Sequence, residues 1–164
     1  TATPAHFTAT AKRMADAGVA VTVLPSTDLF LMGRVDEQSV KRGVTAAHKL
    51  LKEGVNCSLS TNNVLNPFTP FGDCSLLRMA NLYANICQVG ARAEIRDCFD
   101  MITSRSAGIL GLENHGVHIG APADLVVIDT DAPEAAVAEL APPLSGFKRG
   151  RMTFKRAPVE LLRP

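Results

Sequence analysis

The chain has no run of five or more basic residues, and its formal net charge is +1. Both facts speak against a nucleic-acid partner, which needs clustered Lys and Arg. No apolar stretch approaches the length of a membrane span, so no membrane partner is expected. The opening residues, TATPAHFTATAKRMADAG, lack the basic start and apolar core of a secretory signal. Four cysteines, Cys57, Cys74, Cys87 and Cys98, include no C-x-x-C pair, which sets aside a zinc ribbon or a redox dithiol motif. Cys57 and Cys87 read as buried thiols, and a reducing cytoplasm is the expected compartment. Internal repeats are absent, and the only mild linker signal is the Ala/Pro-rich stretch 132–143. An initiator Met is also missing. The chain starts at Thr1 and enters a helical pattern almost at once, which is expected of a fragment, a processed chain or the ordered part of something larger.

What is present is enough for one sizeable core: 164 residues, of which 46% are hydrophobic. Residues 5–17 place Phe7, Ala11, Met14 and Ala15 on one helical stripe, which Gly18 ends. VAVTVLP (19–25) is continuously apolar and predicts a strand buried on both faces, as in a parallel sheet. STDLFLMGRVDEQSVKR reads as a long loop, with Asp28 and Arg34 either shaping a site or forming a salt bridge. A helix over 43–53 follows, with Val44, Ala47, His48 and Leu51 on one face, and VNCSLST (55–61) is the next strand. Strand, helix, strand makes a βαβ unit. Asp73 is the expected N-cap of a helix running to Gly90, with Leu76, Met79, Ala80, Tyr83 and Cys87 on its apolar face. Helical patterns continue over 93–105 and in SAGILGL. ADLVVID (123–129) predicts a strand flanked by Asp124 and Asp129. SGFKRGRMTFKR predicts a hairpin turning at Arg149-Gly150.

Between the second strand and the long helix lies CSLSTNNVLNPF (57–68), where Asn62, Asn63 and Asn66 crowd the strand exit. The segments LPSTDLFLMGR, GVNCSLSTNNVLNPFTPFGD, NLYANICQVG and LGLENHGVHIGAPADLVVIDTD, in that order, resemble the amidohydrolase superfamily in its cytosine deaminase-like branch. The closing FKRGRMTFKR is similar to that family's final hairpin. The resemblance implies an α/β fold: the C-terminal part of a metal-dependent hydrolase (β/α)8 TIM barrel plus the C-terminal strands of a small β-sandwich domain. It places VAVTVLP at the seventh barrel strand and VNCSLST at the eighth, with residues 1–112 in the barrel and 113–164 in the small domain.

The implied chemistry is hydrolysis of non-peptide C–N bonds in a cyclic amide, amidine or aminated heterocycle, using a divalent metal, zinc or iron. In the family, histidines from earlier strands and an aspartate ending the eighth strand gather the metal, and that aspartate also takes the proton of the attacking water. The position matching it here is Asn62, which the resemblance makes both the catalytic and the metal position. An amide oxygen carries no charge and is no base near neutral pH. Asn63 matches a residue contacting substrate near the attacked carbon, Phe68 an aromatic packing on the heterocycle, and Asn66 a further family aspartate.

None of the four histidines supplies the missing ligands. His6 and His48 sit on helices and read as structural or surface residues, and His115 and His118 as turn residues near Glu113. Cys57 has no base beside it and reads as a core residue. The expected partners are a small heterocyclic substrate and a companion chain or N-terminal portion carrying the rest of the barrel. Open strand edges also lead to the expectation of a homo-oligomer. The alternative is a non-catalytic relative or inactive fragment that binds a small ligand or a partner chain.

Overall fold

The computed structural model describes residues 3–160 and Leu162. Helix α1 (Pro4–Asp16) begins with Pro at its first turn and with the Thr3 hydroxyl accepting from the His6 N–H. It leads into β1 (Val21–Val23), which pairs in parallel with β2 (Cys57–Leu59) in the register Val21↔Cys57, Thr22↔Ser58, Val23↔Leu59. Between them run α2 (Pro25–Leu31) and α3 (Ala47–Lys52). All three β2 residues are buried, and the one hydroxyl among them is satisfied by Thr22 Oγ1, 2.8 Å from Ser58 Oγ. Strand β1, expected to be buried on both faces, is not: only Val23 is buried and Thr22 is exposed, because among the described residues β1 has β2 as its one strand neighbour. Both strands are shorter than the apolar runs that announced them.

Helix α2 is a correction, because its residues read as loop. Pro25 ends the strand and simultaneously supplies the fixed φ of a first helical turn, so a residue taken as a stop is also a start. The same happens at α7 (Pro133–Glu139), which occupies the stretch read as a linker. Its alanines are strong helix formers, but its C-cap is Leu140 in the left-handed region, so no glycine marked the end.

Helix α4 (Leu76–Ile86) carries a further correction. Its N-cap is Ser75, whose Oγ accepts from the Arg78 N–H at 3.2 Å. Asp73 lies two residues earlier, accepts from the Ser75 N–H and grips the Arg78 guanidinium with both oxygens. Of the face expected to be apolar, Met79, Ala80 and Tyr83 are buried, whereas Leu76 is exposed and Ala84 is buried in its place. Cys87, read as buried, is only half-buried. Helix α6 (Ser104–Ile109) packs against β2, and α5 (Arg92–Asp100) packs on α3, α4 and α6. Helix α7 packs against α4 and α5, placing Val137 in the same buried cluster as Val23, Leu59 and Tyr83.

Tyr83 also meets His48. Its hydroxyl oxygen accepts from the His48 backbone N–H at 3.0 Å and lies 2.8 Å from His48 Nδ1. The phenol and Nδ1 share a hydrogen bond whose direction follows the imidazole tautomer. Burial pulls the His48 pKa below its ordinary 6.5. The unfolded chain therefore takes up a proton that the folded chain refuses, and stability falls as pH drops below 6.5. The carboxylates held low, Asp73, Glu94 and Asp124 by ion pairs and Glu134 first by a backbone hydrogen bond, begin to matter only in more acid solution. The melting temperature should accordingly decline between pH 7 and 5, and His48→Gln should flatten that decline. An equal decline in the variant would assign the effect to other groups.

The second sheet is antiparallel, ordered β3 (Leu125–Ile128), β4 (Pro143–Lys148), β5 (Arg151–Lys155). The expected hairpin is present, and Arg149 and Gly150 both have positive φ, the requirement of a two-residue turn matching strand twist. Asp124 ties this turn to β3 by accepting from the Arg149 N–H at 2.7 Å and pairing with Lys148. Gly146 faces Phe154 across the strands, and the ring covers the space a side chain would need. The fold is thus mixed α/β, and no helix among the described residues is long and apolar enough to cross a membrane.

Candidate functional site

Because β1 and β2 run parallel and in register, the chain leaves both at the same edge of the sheet. From β1 it turns directly into α2, which brings Thr27 into the first helical turn; from β2 it enters the amide-rich loop. The two segments join there. Thr27 Oγ1 donates to Asn62 Oδ1 at 3.2 Å, and Asn63 Nδ2 donates to the same oxygen at 2.5 Å. Asn66 Nδ2 donates to Asn63 Oδ1 at 2.9 Å, and Asn66 Oδ1 accepts from the backbone N–H groups of Phe68 and Thr69, both at 3.0 Å. Thr69, fully buried, closes the ring with its hydroxyl 3.3 Å from that of Thr27.

The three asparagines singled out in the sequence therefore form one continuous hydrogen-bonded row. Phe68 joins it through its backbone only, and its side chain is 58% exposed. The residues that anchor the row, Thr27 and Thr69, were missed. The signal for Thr27 was its place two residues after a helix-starting proline. For Thr69, which sits between Phe68 and Pro70, no local signal existed.

Beside the row opens a cavity of about 290 Å³ between α2, the loop after β2 and the start of α4. Its wall is mainly Leu29, Phe30, Val64, Phe71, Met79 and Leu82, and Asn63 and Thr69 stand at its polar side. Asn62, Asn66 and Phe68 do not line it. Phe30 and Phe71 meet edge to face at 5.8 Å between centroids, and the Arg34 guanidinium carbon lies 4.8 Å above the Phe30 ring. Arg34 thus braces an aromatic wall, and among the described residues it makes no ion pair with Asp28. Burial raises the Asp28 carboxyl pKa.

The amide row carries no charge of its own, and the charged residues of the cavity lining, Asp73 and Arg78, are paired with each other. Asn62 Oδ1, the expected ligand atom, already accepts from two donors. Among the described residues no group of three His, Cys, Asp or Glu side chains is placed to hold a metal ion. His118 Nδ1 lies 3.3 Å from the carbonyl oxygen of its neighbour Ile119. By themselves the described residues do not fit a metal. Cys57 and Cys98 are buried, with thiols pushed up to about 11 and about 12, so neither is a nucleophile near neutrality.

The model of the Amidohydrolase family matches residues 1–154. N-isopropylammelide isopropyl amidohydrolase of Pseudomonas sp. (strain ADP) is 32% identical over 108 residues, covering 65% of this chain and 27% of that protein. Pterin deaminase of Rhizobium rhizogenes is 29% identical over 121 residues, 73% of this chain and 27% of that protein. The crystal structure of 5-methylcytosine deaminase from Klebsiella pneumoniae, liganded with 5-fluorocytosine, superposes with a TM-score of 0.85 at 28% identity, over 96% of this chain and 38% of that one. The chain thus spans about a quarter of the length of the curated relatives it matches.

Proposed function

The chain belongs to the amidohydrolase family, and on that premise we propose that it is the C-terminal portion of a hydrolase of non-peptide C–N bonds. The substrate class is a cyclic amide, amidine or aminated heterocycle. On this reading residues 1–112 end a (β/α)8 barrel and residues 113–164 belong to a small β-sandwich, with β1 and β2 as its seventh and eighth strands. The metal, zinc or iron, is bound mainly by residues outside this chain, in the segment or companion chain that carries the other strands. The observation that carries the reading is the polar row at the shared C-terminal edge of two parallel strands, where barrel enzymes keep their chemistry.

In this role the amides recognise rather than react. Asn63 lines the cavity with its amide nitrogen donating to Asn62 and Thr27, and its oxygen, which accepts from Asn66, keeps a second lone pair for an amino group of the ring. Phe68, exposed beside the row, supplies a ring face for stacking. Asn62 cannot take the proton of an attacking water, so the base of this reading comes from another strand.

A second reading is favoured by the closure of the row. With Asn62 Oδ1 occupied by two donors, the site is a neutral binding surface, as in a non-catalytic relative that holds a small ligand. The test is release of ammonia or amine by the complete protein from cytosine, a pterin and an N-alkylated aminotriazine. The first reading expects turnover of at least one ring by the complete protein and of none by this chain alone. Absence of turnover with every ring, in protein carrying its metal, would leave the second.

A further inference from the structure

We infer that the cavity beside the amide row holds an apolar substituent of the ring substrate, so that the preferred ligand is an alkylated or arylated aminoheterocycle and not a bare one. The inference rests on the C–N hydrolase reading for the identity of the ring, and on the structure for the pocket.

Three features carry it. The volume, about 290 Å³, exceeds that of an apolar protein cavity of about 150 Å³, which is enough to admit benzene. Although polar residues and the Asp73–Arg78 pair also border it, the surface the cavity exposes is mostly carbon, which gains from covering an apolar group. The third is position. Asn63 and Thr69 belong both to the cavity wall and to the hydrogen-bonded row, so a ring read by the row would direct a substituent into the cavity.

The walls are also held in place. Phe71 is pinned edge to face on Phe30, and Phe30 lies under Arg34. The floor belongs to α4, whose first turn is fixed by the Ser75 cap and by the Asp73–Arg78 pair. The residues lining the cavity all come from α2, α4 or the loop between β2 and α4.

The experiment compares calorimetric dissociation constants of the complete protein for cytosine and N4-benzylcytosine. The wild type is set against Ser26→Phe and Leu82→Phe, which fill the cavity from α2 and from α4. The expected result is that the benzyl compound binds about tenfold tighter to the wild type or better. Either filled variant should abolish that preference and leave cytosine binding within about twofold. Two variants on different elements guard against one failing to fold. Equal affinities in the wild type, or a preference that survives both substitutions, would overturn the inference. Its failure is separable from that of the proposed function. Ring hydrolysis without a substituent preference removes only the cavity's role. A preference that the filled variants abolish, without hydrolysis of any ring, removes only the enzyme reading.

Discussion

Tyr83→Ala is expected to destabilise the chain by about 3–5 kcal/mol, the range for deleting a large buried aromatic. Tyr83 is fully buried in a cluster shared by α1, β1, α3, β2, α4, α5 and α7. The loss has two separable parts. Tyr83→Phe keeps the ring but orphans the His48 backbone N–H and Nδ1, which costs about 1–3 kcal/mol. Chemical denaturation of both variants measures the split. The expected order is wild type, Tyr83→Phe, Tyr83→Ala. A Tyr83→Phe variant as stable as wild type would show that the His48 contact contributes nothing. The consequence reaches the site, because α4 carries Tyr83 on one face and Met79 and Leu82 toward the cavity.

Asn62→Asp in the complete protein is expected to raise the rate of C–N hydrolysis by about 10²-fold or more, the scale of a positioned proton acceptor. The geometry favours the substitution. Both groups facing Asn62 Oδ1, the Thr27 hydroxyl and the Asn63 amide nitrogen, are donors, so a carboxylate inherits its hydrogen bonds without rearrangement. Those donors favour the ionised form and so keep the new carboxylate charged near neutrality. Asn62→Ala serves as the comparison and should show no gain. Steady-state rates across pH 5–8 would check this: the Asp variant should lose activity in acid as its carboxylate is protonated. A rate unchanged by Asn62→Asp would mean that position 62 is not where the proton goes, or that the site no longer performs hydrolysis.

Much of this arrangement is legible in the sequence, and the illegible parts have physical reasons. The parallel pair shows itself through its β-branched and apolar runs, but burial on both faces holds only for Cys57–Leu59, because Thr22 in β1 is exposed. The hairpin shows itself because Arg149-Gly150 needs two positive φ values and one of its residues is glycine. The amide row is visible as a cluster because three asparagines within five positions at a strand exit have few structural uses. Helices α2 and α7 are hidden by their own first residues, since a proline ends one element and begins another with the same fixed φ. The Ser75 cap is masked by Asp73, an equally good capping residue two positions away that turned to Arg78 instead. The cavity is least legible of all. Phe30 and Phe71 stand on separate elements, and only the parallel register of β1 and β2 brings their rings together.

The central claim is that this chain contributes a neutral row and a cavity to a site whose metal is bound mainly by residues elsewhere in the complete protein. Elemental analysis of zinc and iron, on the complete protein and on this chain alone, tests it most directly. The account predicts stoichiometric metal in the complete protein and none bound by this chain. Stoichiometric metal on the isolated chain, or none on the complete protein, would contradict it.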